Sequence, residues 1–327
     1  MVNGRRVLIS EPGFSNFGNY FKEQSSERIF LHRNFDLNST PVRFFRILRL
    51  VVLLEWLNTQ MLILKYRFYK CDKLVIIKGC TVDVENNLLK KIGYTIYIWD
   101  SIKNIYRGER FLKMPQNIMT FDLKDSIKYG FTYLPLFHFR GKGVDVSKQI
   151  MGVADKRNII SLYGNFSLDR LNVIDQMVMD EKCIFPIKYF LTISKFQFLK
   201  EVIVNPKIAK RLWKYTTFKK LYRSYIDEML KNSLFTFDIA NKNQSGMTTR
   251  TLEALSFSTK LITNNITTVN FCNSLNVPVL YFDFDNKINL KDHFEFISKE
   301  FAITQSFIKE YSICNFLNKI INHDFRV

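Results

Sequence analysis

Short runs of β-branched and aromatic residues alternate with segments of helical spacing along almost the whole chain. Clear examples of such runs are Arg6–Ser10, Lys73–Ile77, Asn158–Tyr163 and Lys260–Thr263. This alternation is typical of β-α units, in which neighbouring strands run parallel and helices cover the sheet. The glycines of residues 141–143 mark a seam, after which a second series of units begins. The chain of 327 residues is therefore predicted to form two α/β domains, residues 1–145 and 146–327.

The charge of the chain narrows the kinds of partner it can have. Lysine and arginine number 48 against 30 acidic residues, which gives a formal net charge of +18, and the surplus lies in both halves. Such a field attracts nucleic acid, an anionic membrane or a nucleotide-linked substrate. Nucleotide composition bias in the genome is an alternative source of the excess. The hydrophobic fraction of 47% excludes a disordered, collagen-like or coiled-coil chain.

Cysteines, histidines and apolar segments indicate the compartment. The five cysteines are odd in number and scattered, and neither they nor the four histidines have the spacing of a zinc site. We therefore expect a reducing compartment and no structural metal. The N-terminus lacks the pattern of a signal peptide, and no apolar stretch reaches the roughly 18–20 residues of a membrane span. The expected location is the cytoplasm.

One polar segment in the second half has the pattern of an anion site. A strand ends at Asp238, a polar loop follows, and a helix begins near Thr248. Gly246 is expected to allow a tight backbone turn, so that the free N–H groups of the helix start face outward. The hydroxyls of Thr248 and Thr249 and the guanidinium of Arg250 suit phosphate oxygens. The sequence therefore predicts that a phosphate group binds at this helix start.

Glu253 lies one turn further along the same helix. A carboxylate there is placed to accept hydrogen bonds from sugar or ribose hydroxyls, as an acidic residue does in dinucleotide sites. The alternative is an ordinary helix start, in which Ser245 or Thr248 caps the helix and Glu253 is solvated. Residue pattern alone leaves both interpretations open.

The run from Phe237 to Asn265 resembles the donor-site segment of bacterial lipopolysaccharide and capsule glycosyltransferases with the GT-B fold. In those enzymes a similar block of glutamine, a small residue and glycine, then arginine and glutamate-alanine-leucine, precedes a lysine-leucine-isoleucine-threonine strand. The matching residues here are Gln244, Gly246, Arg250, Glu253 and Lys260–Thr263. Further stretches resemble the end of the first domain of these enzymes and the opening of the second: Tyr97–Lys103, Phe121–Asp125, Leu134–Phe137 and Ser161–Arg170.

The resemblance implies both a fold and an activity. The fold would be α/β, with two Rossmann-like domains that face a central cleft. The activity would be metal-independent transfer of a sugar from a nucleotide-sugar donor, with UDP as the first choice of nucleotide, to a lipid-linked, lipopolysaccharide or capsule glycan. No other cofactor and no nucleic acid partner is expected. The enzyme would be cytoplasmic and peripheral on the inner face of the cytoplasmic membrane.

Pattern and resemblance together predict a set of donor-binding residues. They are Gly164, Asn165, Arg170, Asp238, Gln244, Ser245, Gly246, Met247, Thr248, Thr249, Arg250 and Glu253. The helix start with Arg250, and the loop after Gly164 with Arg170, would stabilise the charge of the departing nucleotide. Many GT-B transferases carry two glutamates eight positions apart, one for the donor sugar and one for the ribose. Glu253 matches the second, but Ser245 stands at the first, so sugar recognition would fall to Gln244, Asn243 or Asp238.

An inverting transferase also needs a carboxylate that deprotonates the acceptor hydroxyl. Glu11, just beyond the first predicted strand, is the first candidate for this catalytic base, and Asp100, at the end of another strand, is the second. Both fall where open α/β sheets bind their ligands. Each could equally be a loop carboxylate or a helix cap. A retaining transferase would need no such base.

A long predicted helix, Phe44 to Tyr69, mixes arginines with large apolar residues. Contact with a membrane surface is one interpretation, because a lipid-linked acceptor would be met there. Core packing is the other, because the apolar residues of Leu50–Leu54 lie nearly all round the helix. Two rival functions also stay open: a nucleic-acid-binding protein, for which no known motif is found, and a non-catalytic scaffold with a decayed donor site.

Overall fold

A computed structural model of the chain gives the positions of most residues. It describes residues 5–12, 27–34, 50–77, 82–105, 107–113, 117–139, 157–179, 185–219, 221–240, 245–284 and 290–322. The chain forms two compact units. The first consists of Met1–Lys142, Lys242–Gly246 and Lys309–Val327, and the second of Gly143–Asn241 and Met247–Ile308. The predicted boundary between residues 145 and 146 stays a prediction, and residues 309–327, which it assigned to the second domain, belong to the first unit.

The described part of the first unit contains a six-stranded sheet whose neighbouring strands are all parallel. Its strands are β1 (Arg6–Pro12), β2 (Arg28–Asn34), β3 (Lys73–Ile77), β4 (Thr95–Ile98), β5 (Ile118–Thr120) and β6 (Thr132–Tyr133). Its helices are α1 (Val51–Phe68), α2 (Asn87–Ile92), α3 (Leu123–Tyr129) and α12 (Ile313–Ile321). The strand order is β2-β1-β3-β4-β5-β6. The chain thus changes direction across the sheet between β1 and β3, which is where such sheets open a crevice for ligands.

The core of the first unit is built on the strands in the middle of this sheet. β3 and β4 are almost continuous apolar runs because helices cover both of their faces. Leu74, Ile76 and Ile96 are fully buried and pack with Leu62 of α1 and with Phe111. The C-terminal helix α12 adds Phe316, whose ring lies 4.7 Å from that of Tyr97, in an edge-to-face contact. This packing explains why the end of the chain belongs to the first unit.

The described part of the second unit contains another six-stranded parallel sheet. Its strands are β7 (Arg157–Asn165), β8 (Ile187–Thr192), β9 (Thr216–Thr217), β10 (Ser233–Asp238), β11 (Lys260–Thr263) and β12 (Val279–Tyr281). Its helices are α4 (Leu168–Met179), α5 (Lys195–Val204), α6 (Ala209–Tyr215), α7 (Arg223–Asn232), α8 (Thr249–Ser256), α9 (Ile266–Ser274), α10 (Phe294–Ser298) and most of α11 (Gln305–Glu310). The order β12-β11-β10-β7-β8-β9 puts the change of direction between β7 and β10.

The core of the second unit lies around β7 and β10. Leu162 and Phe235 on these strands are buried together with Leu171 of α4 and Leu212 of α6. Phe235 also stacks on Phe296, with ring centroids 5.2 Å apart. Two parallel six-stranded sheets covered by helices confirm the predicted α/β class.

The helix predicted over residues 44–69 runs from Val51 to Phe68 in the structure, and residues 44–49 lie outside the described part. Its inner face contains apolar side chains such as Leu62 and Ile63 together with buried polar ones, among them Glu55 and Asn58. Core packing therefore accounts for one face of the helix, not for both. Among the described residues, no helix has the length and apolar character needed to cross a bilayer.

His32 on β2 gives the first unit a specific pH dependence. Its side chain is 1% exposed, and its Nε2 lies 3.0 Å from Asn58 Oδ1. Burial, and to a smaller extent the ammonium group of Lys65, lowers the pKa of His32 to about 4. His32 therefore binds a proton near pH 6.5 in the unfolded chain but only near pH 4 in the folded chain.

Stability is expected to fall as the pH drops through this window, by up to about 3 kcal/mol from His32 alone. Urea unfolding at a series of pH values tests this expectation. His32→Gln is the control, because it removes this titrating group and leaves the carboxylates. A variant whose stability falls between pH 6.5 and 4 as steeply as that of the wild type would contradict the assignment to His32.

Candidate functional site

The predicted donor residues of the second unit meet at the point where its sheet changes direction. Gly164 and Asn165 end β7, and Asp238 ends β10, its neighbour in the sheet. The helices that follow these two strands, α4 and α8, begin beside the same edge and carry Arg170 and Arg250. Parallel α/β sheets bind ligands at the carboxyl ends of the strands at such a point.

Asp238 organises this edge. Its carboxylate is completely buried and accepts hydrogen bonds from Thr248 Oγ1 at 2.7 Å and from Thr251 Oγ1 at 2.5 Å. Arg250 Nε lies 3.2 Å from the same carboxylate. Thr248 also caps α8, since its hydroxyl accepts from the N–H of Thr251. Asp238 therefore fixes the start of α8 and the direction of Arg250.

Two guanidinium groups converge here. Arg170 Nη2 and Arg250 Nη2 both donate to the carbonyl oxygen of Ile239, at 2.9 and 3.0 Å. Arg170 Nη1 also donates to the carbonyl oxygen of Asn165 at 2.5 Å. Burial, and next the charge of Arg250, lowers the pKa of Arg170 below its ordinary value. Two cations thus face one buried carboxylate beside a helix start, an arrangement that a bound anion would stabilise.

Gly164 lies directly against both guanidiniums. Its φ is +141°, a conformation that side-chain-bearing residues rarely adopt. A Cβ atom there would lie 3.2 Å from Arg250 Nη1 and 3.5 Å from Arg170 Nη1. Glycine is therefore required both by the backbone and by the close approach of the two arginines.

Gly164→Ala is expected to destabilise the chain by about 1–2 kcal/mol and to weaken anion binding by displacing Arg250. Gly130→Ala is the matched control, because Gly130 has a φ of +72° and nothing lies within 4 Å of its Cβ position. Phosphate or UDP titration of both variants separates backbone strain from loss of the site. Equal anion affinity in the two variants would contradict the role of Gly164 in the site.

Glu253 is buried rather than solvated, with 4% of its surface exposed. Its Oε2 accepts a hydrogen bond from the hydroxyl of Tyr163 at 2.7 Å, and its Oε1 pairs with Arg223. Burial, and then the charge of Glu253, raises the pKa of Tyr163 well above its ordinary value, so that the hydroxyl stays protonated and donates. Tyr163 and Arg223 were not predicted, because they lie 90 and 30 residues from their partner.

The loop before α8 differs from expectation at Gly246. The φ angle of Gly246 is not positive, so a left-handed backbone conformation is not the reason for glycine at this position. A Cβ atom would instead lie 2.6 Å from two ring carbons of Phe121, so close packing requires the glycine. The hydroxyl and the N–H group of Ser245 both donate hydrogen bonds to the carboxylate of Asp122. These four residues all belong to the first unit.

The remaining predicted donor residues differ in their burial, and Gln244 is not described. Met247 is 4% exposed, which makes it a packing residue, and Thr249 is half-buried in the first turn of α8. Asn165 is exposed, and its side chain accepts from the hydroxyl of Thr192 at 3.0 Å. Gln244 and Asn243 lie outside the described residues.

The two candidate bases lie at the carboxyl edge of the first sheet. Glu11 is the next-to-last residue of β1, so it lies within the strand and not just beyond it as predicted. It is fully buried and in register with Arg33 of β2. Asp100 follows β4 by two residues and is half-buried. The change of direction lies between β1 and β3, so Glu11 is beside it and Asp100 is one strand further away.

Comparison with known proteins supports the fold. No protein-family model matches the chain, and no curated protein matches its sequence. Among solved structures, the N-terminal domain of Candida albicans trehalose-6-phosphate phosphatase matches with a TM-score of 0.60 and 10% identity, covering 97% of this chain and 96% of its own. Anabaena HepE with UDP and glucose matches with a TM-score of 0.59 and 8% identity, covering 97% and 98%.

A third match is an α,α-trehalose-phosphate synthase (UDP-forming) from Burkholderia vietnamiensis. Its TM-score is 0.57 at 7% identity, and the alignment covers 98% of this chain and 97% of the synthase. At such identities the likeness concerns the fold alone. Because the matches extend over both sheets, they confirm the predicted GT-B fold.

Proposed function

We propose that this chain is a glycosyltransferase that moves a sugar from a nucleotide-sugar donor, first of all a UDP-sugar, to a glycan acceptor. The observation that carries the proposal is the convergence of Arg170 and Arg250 beside Gly164 at the β7–β10 edge. Two of the similar structures support the choice of nucleotide, since one holds UDP and glucose and the other is of a UDP-forming synthase.

In this proposal the two arginines bind the diphosphate of the donor. As the bond to the sugar breaks, negative charge develops on the departing phosphate, and prepositioned cations stabilise it. The N–H groups at the start of α8 and the hydroxyl of Thr249 add hydrogen-bond donors on the same side. Asp238 is completely buried and fully engaged, so we assign it to the positioning of Arg250 and not to contact with the donor sugar.

Glu253 is proposed to accept hydrogen bonds from the ribose. Each carboxylate oxygen has two lone pairs, so the bonds from Tyr163 and Arg223 leave acceptor capacity. Those two residues hold the carboxylate in a fixed direction. Recognition of the donor sugar is proposed for Gln244 and Asn243, because Ser245 is engaged with Asp122.

For an inverting reaction, we propose Glu11 ahead of Asp100 as the base that deprotonates the acceptor hydroxyl. Glu11 adjoins the point where the first sheet changes direction, the usual ligand site of such sheets. The proposed acceptor is a lipid-linked, lipopolysaccharide or capsule glycan at the inner face of the cytoplasmic membrane. The family resemblance and the net charge of +18 support that choice.

A thermal-shift panel of UDP, GDP and CMP with the full chain tests the proposal. UDP is expected to raise Tm, because a ligand that binds only the native state stabilises it, by about 2.7 kcal/mol at roughly 100 times its Kd. GDP and CMP are expected to give smaller shifts. A folded sample that responds to none of the three at millimolar concentration would contradict the proposed donor site.

A further inference from the structure

Helix α1 carries a large apolar surface on the side that faces away from the core. Seven of its side chains, here called the outer face, have 40–80% of their surface exposed: Val52, Leu53, Trp56, Leu57, Met61, Leu64 and Phe68. They recur at the three- and four-residue spacing of one helix face. A surface helix ordinarily presents polar residues outward, and a contiguous exposed apolar patch marks an interaction site.

Helix α1 does contain polar residues, but several of them lie on its inner face. Glu55, Asn58 and Thr59 are buried, with at most 3% of their surface exposed. Glu55 pairs with Arg107 and Arg110, both through Nη1 atoms at 3.0 Å. Three polar residues of the helix therefore lie buried on its inner face, while seven apolar residues are exposed on its outer face.

The charged residues near the outer face indicate which kind of partner it would bind. Residues 41–70 contain six basic residues and one acidic residue, Glu55. Since Glu55 is buried and paired, the outer face presents no carboxylate. Arg67 and Lys70 are exposed at its C-terminal end, and Lys90 and Lys91 are exposed on α2. Among the described residues, these four cations compare with one exposed carboxylate near the end of α1, that of Asp72, so the charge beside the apolar surface is positive on balance.

We infer that the outer face of α1 inserts into the surface of a bilayer that contains anionic lipids. A helix with a basic border and an apolar face lies in the plane of the interface, with tryptophan and phenylalanine at headgroup depth. Its 18 residues give a length of about 27 Å along the membrane plane. A second copy of the chain is the weaker occupant, because pairing two outer faces brings two basic borders together.

The inference deepens the proposed function and rests on it for the choice of a lipid surface, where a lipid-linked acceptor would be met. Its observations, however, come from the first unit alone. Vesicle binding and nucleotide binding can therefore be measured separately on the same sample, and either can fail without the other.

Flotation of the full chain tests the inference, with vesicles of equimolar phosphatidylglycerol and phosphatidylcholine against vesicles of phosphatidylcholine alone. Leu64→Glu is expected to lower partition onto the anionic vesicles at least about tenfold, because it replaces an exposed apolar side chain by a charge of the same sign as the lipid. Ile127→Glu is the matched control: Ile127, on α3, is 77% exposed and is expected to leave partition unchanged.

Fluorescence gives a second readout that needs no substitution in the outer face. In a chain with Trp99→Phe and Trp213→Phe, Trp56 is the one remaining tryptophan. Its emission is expected to shift to shorter wavelength and to be quenched by phospholipids with brominated acyl chains. Equal flotation of Leu64→Glu and wild type, or no quenching of Trp56, would overturn the inference. A dimer that Leu64→Glu dissociates, without any vesicle binding, would overturn it in favour of self-association. The UDP-induced Tm shift, measured alongside, reports on the donor site independently.

Discussion

Arg250→Ala is expected to weaken UDP binding by roughly 10- to 100-fold and to remove the UDP-induced rise in Tm. Arg250 is one of two cations at the β7–β10 edge, and its Nη1 lies on the side of Gly164, where the proposed diphosphate binds. Its effect on transfer should be larger still, about 10²–10³-fold in rate, because charge on the leaving group grows in the transition state.

The matched control for this experiment is Arg211→Ala. Arg211 pairs with Asp175 at 3.1 Å on the surface of the same unit, outside the proposed site. Isothermal titration of UDP into both variants separates a local effect from a change in total charge, since each variant loses one positive charge. Equal loss of affinity in the two variants would mean that UDP responds to the general basic field and not to this site.

Asp238→Asn is expected to cost about 3 kcal/mol of stability. The carboxylate is completely buried and accepts hydrogen bonds from Thr248, Thr251 and Arg250. An amide of the same shape turns an N–H group toward one of these donors and leaves both arginines without their buried counter-charge. The start of α8 loses its anchor at the same time.

Urea unfolding of Asp238→Asn and Asp175→Asn measures this cost against a surface reference. The carboxylate of Asp175 is one-third exposed in its pair with Arg211, so its loss is expected to cost less than about 1 kcal/mol. Closely similar costs for the two substitutions would show that Asp238 is not the organising residue of the site.

The sheets could be predicted from sequence because their central strands are buried on both faces. Lys73–Ile77 and Lys260–Thr263 contain β-branched and apolar residues at their centres, and the structure gives both strands the predicted bounds. Strand β2 was missed, because Arg28, His32 and Arg33 interrupt its apolar pattern. A polar strand at the edge of a sheet gives little periodic signal.

Helix α5 was missed for a different reason. None of the residues of α5 is fully buried, so its apolar side chains do not follow the single stripe that marks a helix packed on a core. For α1, the sequence pattern does not indicate which face of the helix packs against the core. That depends on the contacts of Glu55 with Arg107 and Arg110, which lie more than 50 residues away.

The sequence analysis named the two arginines of the candidate site but not the residues that hold Glu253 in place. Arg170 and Arg250 were chosen for their places after two strands, and the structure brings them to the same carbonyl oxygen. The support of Glu253 by Tyr163 and Arg223 depends on tertiary contacts that no local pattern contains. Asp238 was considered for sugar contact, whereas its burial suits a positioning role.

The central claim is that the chain transfers sugar from a nucleotide donor, and the most direct test is release of UDP from UDP-sugars. Wild type and Arg250→Ala are incubated side by side with a panel of UDP-sugars, with and without glycolipid acceptors. We predict that wild type releases UDP from at least one donor, faster with acceptor, and that Arg250→Ala is slower by about 10²–10³-fold. Binding of UDP without consumption of any donor would contradict the claim and favour the non-catalytic scaffold.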